Sequence, residues 1–214
     1  MIKIIRNFLP EHQAEHLSNG IINTPEHWWS YAVAYNGSKG VYYFKNTILD
    51  RTNLEGHKPY IDKSFQEGHF TYKFKRSTNH VESCNCYECD FKKEYLNSEE
   101  FKDFISKETG IQSPTIYETF ASVYDRGDYL SMHPDAKRGV AFIFNLTKDW
   151  LPEFGGLLNV KQDDGSYKAI VPEYNSLVLL QLGESGTPHF VSEVSSYAPR
   201  PRLAISGWYN EGPE

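Results

Sequence analysis

Tyr129-Leu130-Ser131-Met132-His133-Pro134-Asp135 is the stretch on which the fold turns. A strand sends successive side chains to opposite faces, so His133 and Asp135, two residues apart, share a face. Outward from this stretch, period-two segments recur at short intervals. Thr115–Tyr124 precedes it. Val140–Leu146, Leu157–Val160, Tyr167–Val171, Ser176–Leu182, Phe190–Val194 and Leu203–Tyr209 follow, separated by Gly, Pro, Asn and Asp. Many short strands with this punctuation predict a sandwich or a barrel.

The N-terminal part reads differently. Ile2, Ile4 and Ile5 predict a strand, and Glu11 to Ile22 repeats its apolar residues at helical spacing, with Gly20 weakening the end. Trp28, Trp29, Tyr31, Tyr42, Tyr43 and Phe44 predict aromatic strands crossed by turns at Asn36-Gly37 and Lys39-Gly40. Asn97 or Ser98 caps a helix through about Glu108, with Phe101, Phe104 and Ile105 as its buried stripe and Gly110 as its stop. No linker or repeat divides the chain. The expectation is one domain over 1–214, with a helix-and-strand flank at 1–110 and a strand-rich core at 111–210.

The bulk properties narrow the partners. Fifteen Tyr, 13 Phe and 4 Trp in 214 residues can fill a sizeable core. A net charge of −6 without a basic run points away from nucleic acid, and Lys73-Phe74-Lys75-Arg76 reads as a solvated strand or loop. No apolar run approaches the roughly 20 residues that span a bilayer, so no membrane partner is expected. Met1–Arg6 is too short and too soon charged for a signal peptide. Three cysteines, an odd count, argue for a reducing compartment. The expected location is therefore cytoplasmic, and the Asn-, Lys- and Tyr-rich composition suits a bacterial or phage-infected host. Oligomeric state leaves no mark in the sequence.

The chemistry follows from the strands. With His189, the pair His133 and Asp135 completes a two-histidine, one-carboxylate face that leaves half an octahedron open, which suits non-haem iron(II) and dioxygen. Arg202 supplies a charged fork that would hold a carboxylate beside the metal. If Arg202 faces inward, Ala204, Ser206 and Trp208 share its face, and Leu203, Ile205 and Tyr209 pack the other. Two small residues beside an arginine leave room for a short keto acid.

These residues and their order resemble a family. Matching stretches include Phe104-Ile105, Thr109-Gly110-Ile111, Tyr124 to Asp135, Lys148-Asp149-Trp150, Phe154-Gly155-Gly156-Leu157-Leu158, Val171 to Val178, His189 to Val194 and Arg202 to Trp208. The chain resembles the prolyl-hydroxylase-like branch of the 2-oxoglutarate, iron(II)-dependent oxygenases, and is similar to ribosomal prolyl hydroxylases and their bacterial and phage relatives. The resemblance implies a mainly β fold with flanking helices: a double-stranded β-helix of the jelly-roll, cupin-like kind. It implies iron(II) on His133, Asp135 and His189, the distal carboxylate of 2-oxoglutarate on Arg202, and ascorbate as an optional reductant. It implies hydroxylation of a prolyl residue in a peptide or protein with dioxygen, releasing succinate and CO2. Tyr124 takes a pocket-lining position, and Trp208 packs at the pocket base or beside the substrate. The family's serine or threonine two residues after the arginine is Ala204 here, so Asn145, Ser206 or Tyr124 would complete the clamp. Asp135, being an acid, sets the chain apart from halogenating relatives.

Competing readings remain. Hydroxylation of a free amino acid or small metabolite is the alternative within the enzyme class, and a non-catalytic jelly-roll binding module lies outside it. Arg138 and Arg200 are alternatives to Arg202 as the clamp, and Arg138 is also a candidate substrate contact. His12, His16 and His69 lack paired ligands and read as surface residues. Cys84, Cys86 and Cys89, with His80 nearby, have a tight spacing without a distant second ligand pair. They read as free thiols in a loop over the barrel mouth, where zinc is not expected and where Trp28, Trp29 and Tyr42 would help to recognise substrate.

Overall fold

A computed structural model describes residues 1–36, 42–45, 48–77, 84 and 86–211, with the side chains of 43–45 and 48–51 outside the description. The turns expected at Asn36-Gly37 and Lys39-Gly40, and His80, lie outside the described residues. The chain opens with β1 (Ile2–Arg6), α1 (Glu11–Asn23), β2 (Trp29–Ala34), β3 (Tyr42–Lys45), α2 (Ile48–Gln66) and β4 (Tyr72–Ser77). Then come α3 (Tyr87–Asp90), which runs into a π-helical turn at Phe91–Leu96, and α4 (Glu99–Thr109). The remaining strands are β5 (Thr115–Tyr124), β6 (Tyr129–His133), β7 (Arg138–Asn145), β8 (Leu158–Lys161), β9 (Tyr167–Ile170), β10 (Ser176–Gly183), β11 (His189–Val191) and β12 (Arg202–Asn210).

All pairings are antiparallel, in the order β1-β10-β7-β12-β5-β4-β6-β11-β8-β9, with β2 on β4 and β3 on β2. The sheet folds over on itself, as strand alternation shows. In β7, Val140, Phe142 and Phe144 pack with Leu177 and Leu179 of β10 and Leu203, Ile205 and Tyr209 of β12 on the face that α1 and α4 cover. Ala141, Val178 and Leu180 point the other way, against Leu158, Val160, Ile170 and Val191 of the opposite half. Strands buried on both faces read as continuous apolar runs, as Leu177-Val178-Leu179-Leu180 does. This is the mostly antiparallel jelly-roll architecture expected from the sequence.

The helices obey local chemistry. Ser98 accepts the Phe101 N–H at 3.2 Å to cap α4, and Gly110 ends that helix at φ 82°. Helix α1 runs past Gly20 to Asn23. A side chain at Gly20 would clash with the Tyr87 ring, 2.5 Å from where its Cβ would stand. Here glycine serves a close approach of two helices and does not end one.

Two features go beyond the sequence reading. Strands β1 and β4, from the first half, hydrogen-bond with strands of the second half in one sheet. The 19-residue α2 has no counterpart in the expectation because Gly56 and Pro59 stand inside it. Its Ile61 is buried in a satellite core with Val33 and Tyr129.

Candidate active site

The cross-strand register of β6 and β11 sets His133 directly opposite His189. Side chains opposed in this way face one side of the sheet at close range, and the two rings lie 4.2 Å apart. Each imidazole offers Nδ1 to a backbone carbonyl two residues earlier, His133 to Ser131 at 2.9 Å and His189 to Thr187 at 2.7 Å. A carbonyl only accepts, so Nδ1 carries the proton and Nε2 turns a lone pair inward. Those Nε2 atoms stand 3.6 and 3.7 Å from Asp135 Oδ2.

Asp135 reaches this position by a different route from the one the sequence suggested. Strand β6 ends at His133, and Asp135 sits beyond it at φ 48°, in the left-handed region. A turn, not strand alternation, brings the carboxylate round. Gly186 holds that turn from behind: at φ 75°, a Cβ there would lie 2.1 Å from the Pro134 carbonyl oxygen. Trp208 Nε1 donates to Asp135 Oδ2 at 3.0 Å, and Arg138 stands 3.5 Å from Oδ1. Burial opposes ionisation of Asp135, but the hydrogen bond and charge of His133, then His189 and Arg138, outweigh it and hold the carboxyl below its ordinary value. Burial, then the neighbouring His133, pushes His189 down to about 4, so it is neutral and available as a ligand near pH 7. The donor atoms of all three residues lie within 4.8 Å of one another.

The three side chains open into a cavity of about 320 Å³. Arg202 lies in its wall, 3% exposed, and faces inward with Ser206 and Trp208. The opposed residues Leu203, Ile205 and Tyr209 join the outer core, as strand alternation required. The Arg202 guanidinium lies over the Tyr124 ring at 5.0 Å and donates to Asn145 Oδ1 at 3.4 Å, while its buried Nε has no partner. Among the described residues, no carboxylate pairs with it. Burial lowers its affinity for the proton, with Tyr124 opposing. A buried cation without an anion is costly, and a ligand carboxylate would relieve the cost. Arg138 lines the same cavity but is engaged with Asp135, and Arg200 is exposed and pairs with Asp149 at 3.5 Å. Of these three candidates, Arg202 is the one left for a ligand.

The three alternatives for the rest of the clamp separate by position. Tyr124 and Ser206 line the cavity; Asn145 stands behind Arg202, 2% exposed, and donates to Ser176 Oγ at 3.1 Å. Burial raises the Tyr124 hydroxyl well above its ordinary value, so it stays a neutral phenol.

The sequence reading offered Lys73–Arg76 as a solvated strand or loop and gave β4 no place at the site. Tyr72, Phe74 and Arg76 alternate into the cavity, while Lys73 and Lys75 face Asp128 and Asp125 at 3.4 and 3.0 Å. Arg76 pairs with Glu118 at 2.6 Å and lies 3.9 Å over the Phe120 ring. Period-two alternation of Tyr72, Phe74 and Arg76 was the available signal. The cysteine segment is also elsewhere than expected. Tyr87 packs against α1, its hydroxyl 3.2 Å from Thr24 Oγ1, and none of the three cysteines lines the cavity. Nor do Trp28, Trp29 and Tyr42; Trp29 is buried in the outer core.

The family model of the 2OG-Fe(II) oxygenase superfamily matches residues 119–210. Prolyl 3-hydroxylase OGFOD1 of Mus musculus is 30% identical over 174 residues, covering 77% of this chain and 31% of that protein. Prolyl 3,4-dihydroxylase OGFOD1 of Ostreococcus tauri is 29% identical over 131 residues, covering 55% of this chain and 25% of that protein. The chain thus spans between a quarter and a third of the length of these relatives. A prolyl-4-hydroxylase from Pseudomonas putida shares the fold, with a TM-score of 0.60 and 17% identity over 99% of this chain and 92% of that one. The matched residues 119–210 contain His133, Asp135, His189 and Arg202, and the superfamily that the model describes uses iron(II) and 2-oxoglutarate.

Proposed function

We propose that this chain is a 2-oxoglutarate- and iron(II)-dependent dioxygenase that hydroxylates a prolyl residue in a peptide or protein. The observation that carries the reading is one cavity with a two-histidine, one-carboxylate cluster and a buried Arg202 that has no anionic partner among the described residues. The donor set fits iron(II), and the unpaired Arg202 Nε fits a carboxylate oxygen. His133, Asp135 and His189 would hold the metal, and Arg202, with Tyr124 and Ser206 beside it, would hold the distal carboxylate of the keto acid. When bound, the pair supplies the oxidation: dioxygen is consumed, 2-oxoglutarate leaves as succinate and CO2, and one oxygen atom enters a substrate C–H bond.

The chain's own residues orient and enclose. Ser131 and Thr187 fix the histidine tautomers, and Trp208 and Arg138 fix the Asp135 carboxylate. Phe74, Phe120 and Leu158 give the cavity dry walls. At the rim, Phe70 is 47% exposed and its ring lies 5.6 Å from His133, while Tyr117 is 59% exposed beside Arg138. Exposed aromatics flanking the metal ligands suit a polypeptide, because a ring gives contact area at low entropic cost. The names of the curated relatives support proline as the target. Ascorbate would act only to keep the iron reduced, and a cytoplasmic setting suits an enzyme whose three cysteines form no disulfide.

The test is incubation with iron(II), 2-oxoglutarate and a library of proline-containing peptides. Peptide-dependent succinate release, with gain of one oxygen atom at proline, is expected. Turnover of free amino acids with no peptide modified would overturn the substrate assignment.

A further inference from the structure

We propose that Cys84, Cys86 and Cys89 form a second metal site, which takes a zinc ion through three thiolates and leaves its fourth position to water. The sequence argued against zinc because Cys-x-Cys-x-x-Cys lacks a distant second pair of ligands. The fold answers part of that objection by gathering the three sulfurs itself. Their Sγ atoms all lie within 4.8 Å of one another, and no disulfide joins them. A tetrahedral ion with Zn–S bonds of about 2.3 Å sets its sulfurs about 3.8 Å apart, so small rotamer adjustments would close the site.

The frame beneath the sulfurs is rigid. Cys86 and Cys89 stand three residues apart on one helical turn, closed by Asp90 N–H donating to the Cys86 carbonyl at 2.9 Å, so their side chains share a face. Between them, Tyr87 is wedged against Gly20, and Glu88, 4% exposed, accepts from Ser77 Oγ at 3.0 Å. Phe91 and Leu96 anchor the following turn in the outer core. Lys93 Nζ donates to the Cys84 carbonyl at 2.9 Å, which brings a cation beside a site that would carry a net negative charge when loaded.

Sulfur donors select the ion. Three thiolates favour a soft d10 metal over magnesium, calcium or manganese, which prefer oxygen. Burial pushes the Cys86 and Cys89 thiols above their ordinary value, so these two are protonated without metal and loading releases their protons to solvent. The site is separate from the His133–Asp135–His189 cluster, which has no sulfur. Its role is structural: Ser77, which holds Glu88, ends the strand that carries Phe74 and Arg76 into the cavity.

The test is anaerobic titration of the reduced and chelator-stripped 214-residue chain with cobalt(II), a spectroscopic stand-in for zinc. Asp135→Ala serves as background, because it disables the nitrogen–oxygen site. A thiolate-to-cobalt charge-transfer band in the near ultraviolet is expected, saturating at one equivalent and bleached by one equivalent of zinc. The band should disappear in Cys89→Ser. Because Cys89 is buried, Cys84→Ser at the half-exposed edge is the second variant and spares the fold, with weaker zinc binding expected. Folded, reduced protein that shows no sulfur band overturns the proposal. So does a band that survives Cys89→Ser, or zinc affinity unchanged in Cys84→Ser.

Discussion

Replacing Trp208 by Phe isolates one bond at the metal cluster. The indole Nε1 donates to Asp135 Oδ2 at 3.0 Å, the same oxygen that faces both histidine Nε2 atoms. Phe keeps an aromatic ring for Arg138, whose guanidinium lies 3.9 Å over the indole, and for Phe120, 5.8 Å away. What goes is the donor. Asp135 lies past the end of β6 in a left-handed conformation, so its carboxylate depends on such partners for orientation. The other partner, Arg138, is a looser 3.5 Å contact to Oδ1. A hydrogen bond to a charged group contributes about 1.5–3 kcal/mol, and loss of a partner behind a ligand typically costs about 10–100-fold in metal affinity. Trp208→Phe should therefore weaken iron(II) or cobalt(II) binding about 10–100-fold in anaerobic calorimetry, with thermal stability little changed. Arg138→Met, which loses the longer contact, should weaken it less. Unchanged affinity in Trp208→Phe, or a larger loss in Arg138→Met, would refute the reasoning.

Other expectations follow from packing and charge. Leu179→Ala empties a fully buried position under the helices and should cost about 2–5 kcal/mol in denaturant unfolding without altering the cavity. Gly186→Ala forces a Cβ onto the Pro134 carbonyl at φ 75°, so metal affinity should fall while circular dichroism keeps its strand signature; unchanged affinity would remove Gly186 from the account of the turn. Burial, against the opposing charge of Lys73 at 3.4 Å, raises Asp128 to about 7. An acid raised in the folded state favours folding while protonated, so stability should decline from about pH 4 to pH 7, by up to about 4 kcal/mol from this group, and level off above. Asp128→Asn should flatten that decline in urea unfolding measured across the same range, and an unaltered slope would contradict it.

What the sequence disclosed depended on how local the cause was. Strand Thr115–Tyr124 was legible to the residue because alternation and its flanking turns are local, and so were the Ser98 cap and the Gly110 stop. Parity placed Arg202 on one face with Ser206 and Trp208, whereas His133 and His189 were singled out by the ligand pattern and the resemblance, and the structure brings both beside one cavity. Asp135 was chosen for the wrong reason: its left-handed turn depends on Gly186, fifty-one residues away (186 − 135), and no local pattern reports that contact. The cavity's fourth wall was missed because β4 is recruited by long-range pairing with β5 and β6, and its lysines gave the segment a solvated look. Helix α2 was missed because Gly56 and Pro59 oppose it locally, while burial of Ile61 and Ser64 holds it in place. The cysteine cluster depends on the packing of Tyr87 against Gly20, again across the chain.

One cavity joins two sites: His133, Asp135 and His189 for a metal, and Arg202 for a keto-acid carboxylate. Anaerobic titration of the metal-stripped protein with iron(II) and 2-oxoglutarate, followed by visible absorption, addresses both at once. A weak charge-transfer band in the visible is expected, saturating with the keto acid, absent in His133→Ala and requiring far more 2-oxoglutarate in Arg202→Ala. Folded protein that gives no band, or a band indifferent to both substitutions, would contradict the account.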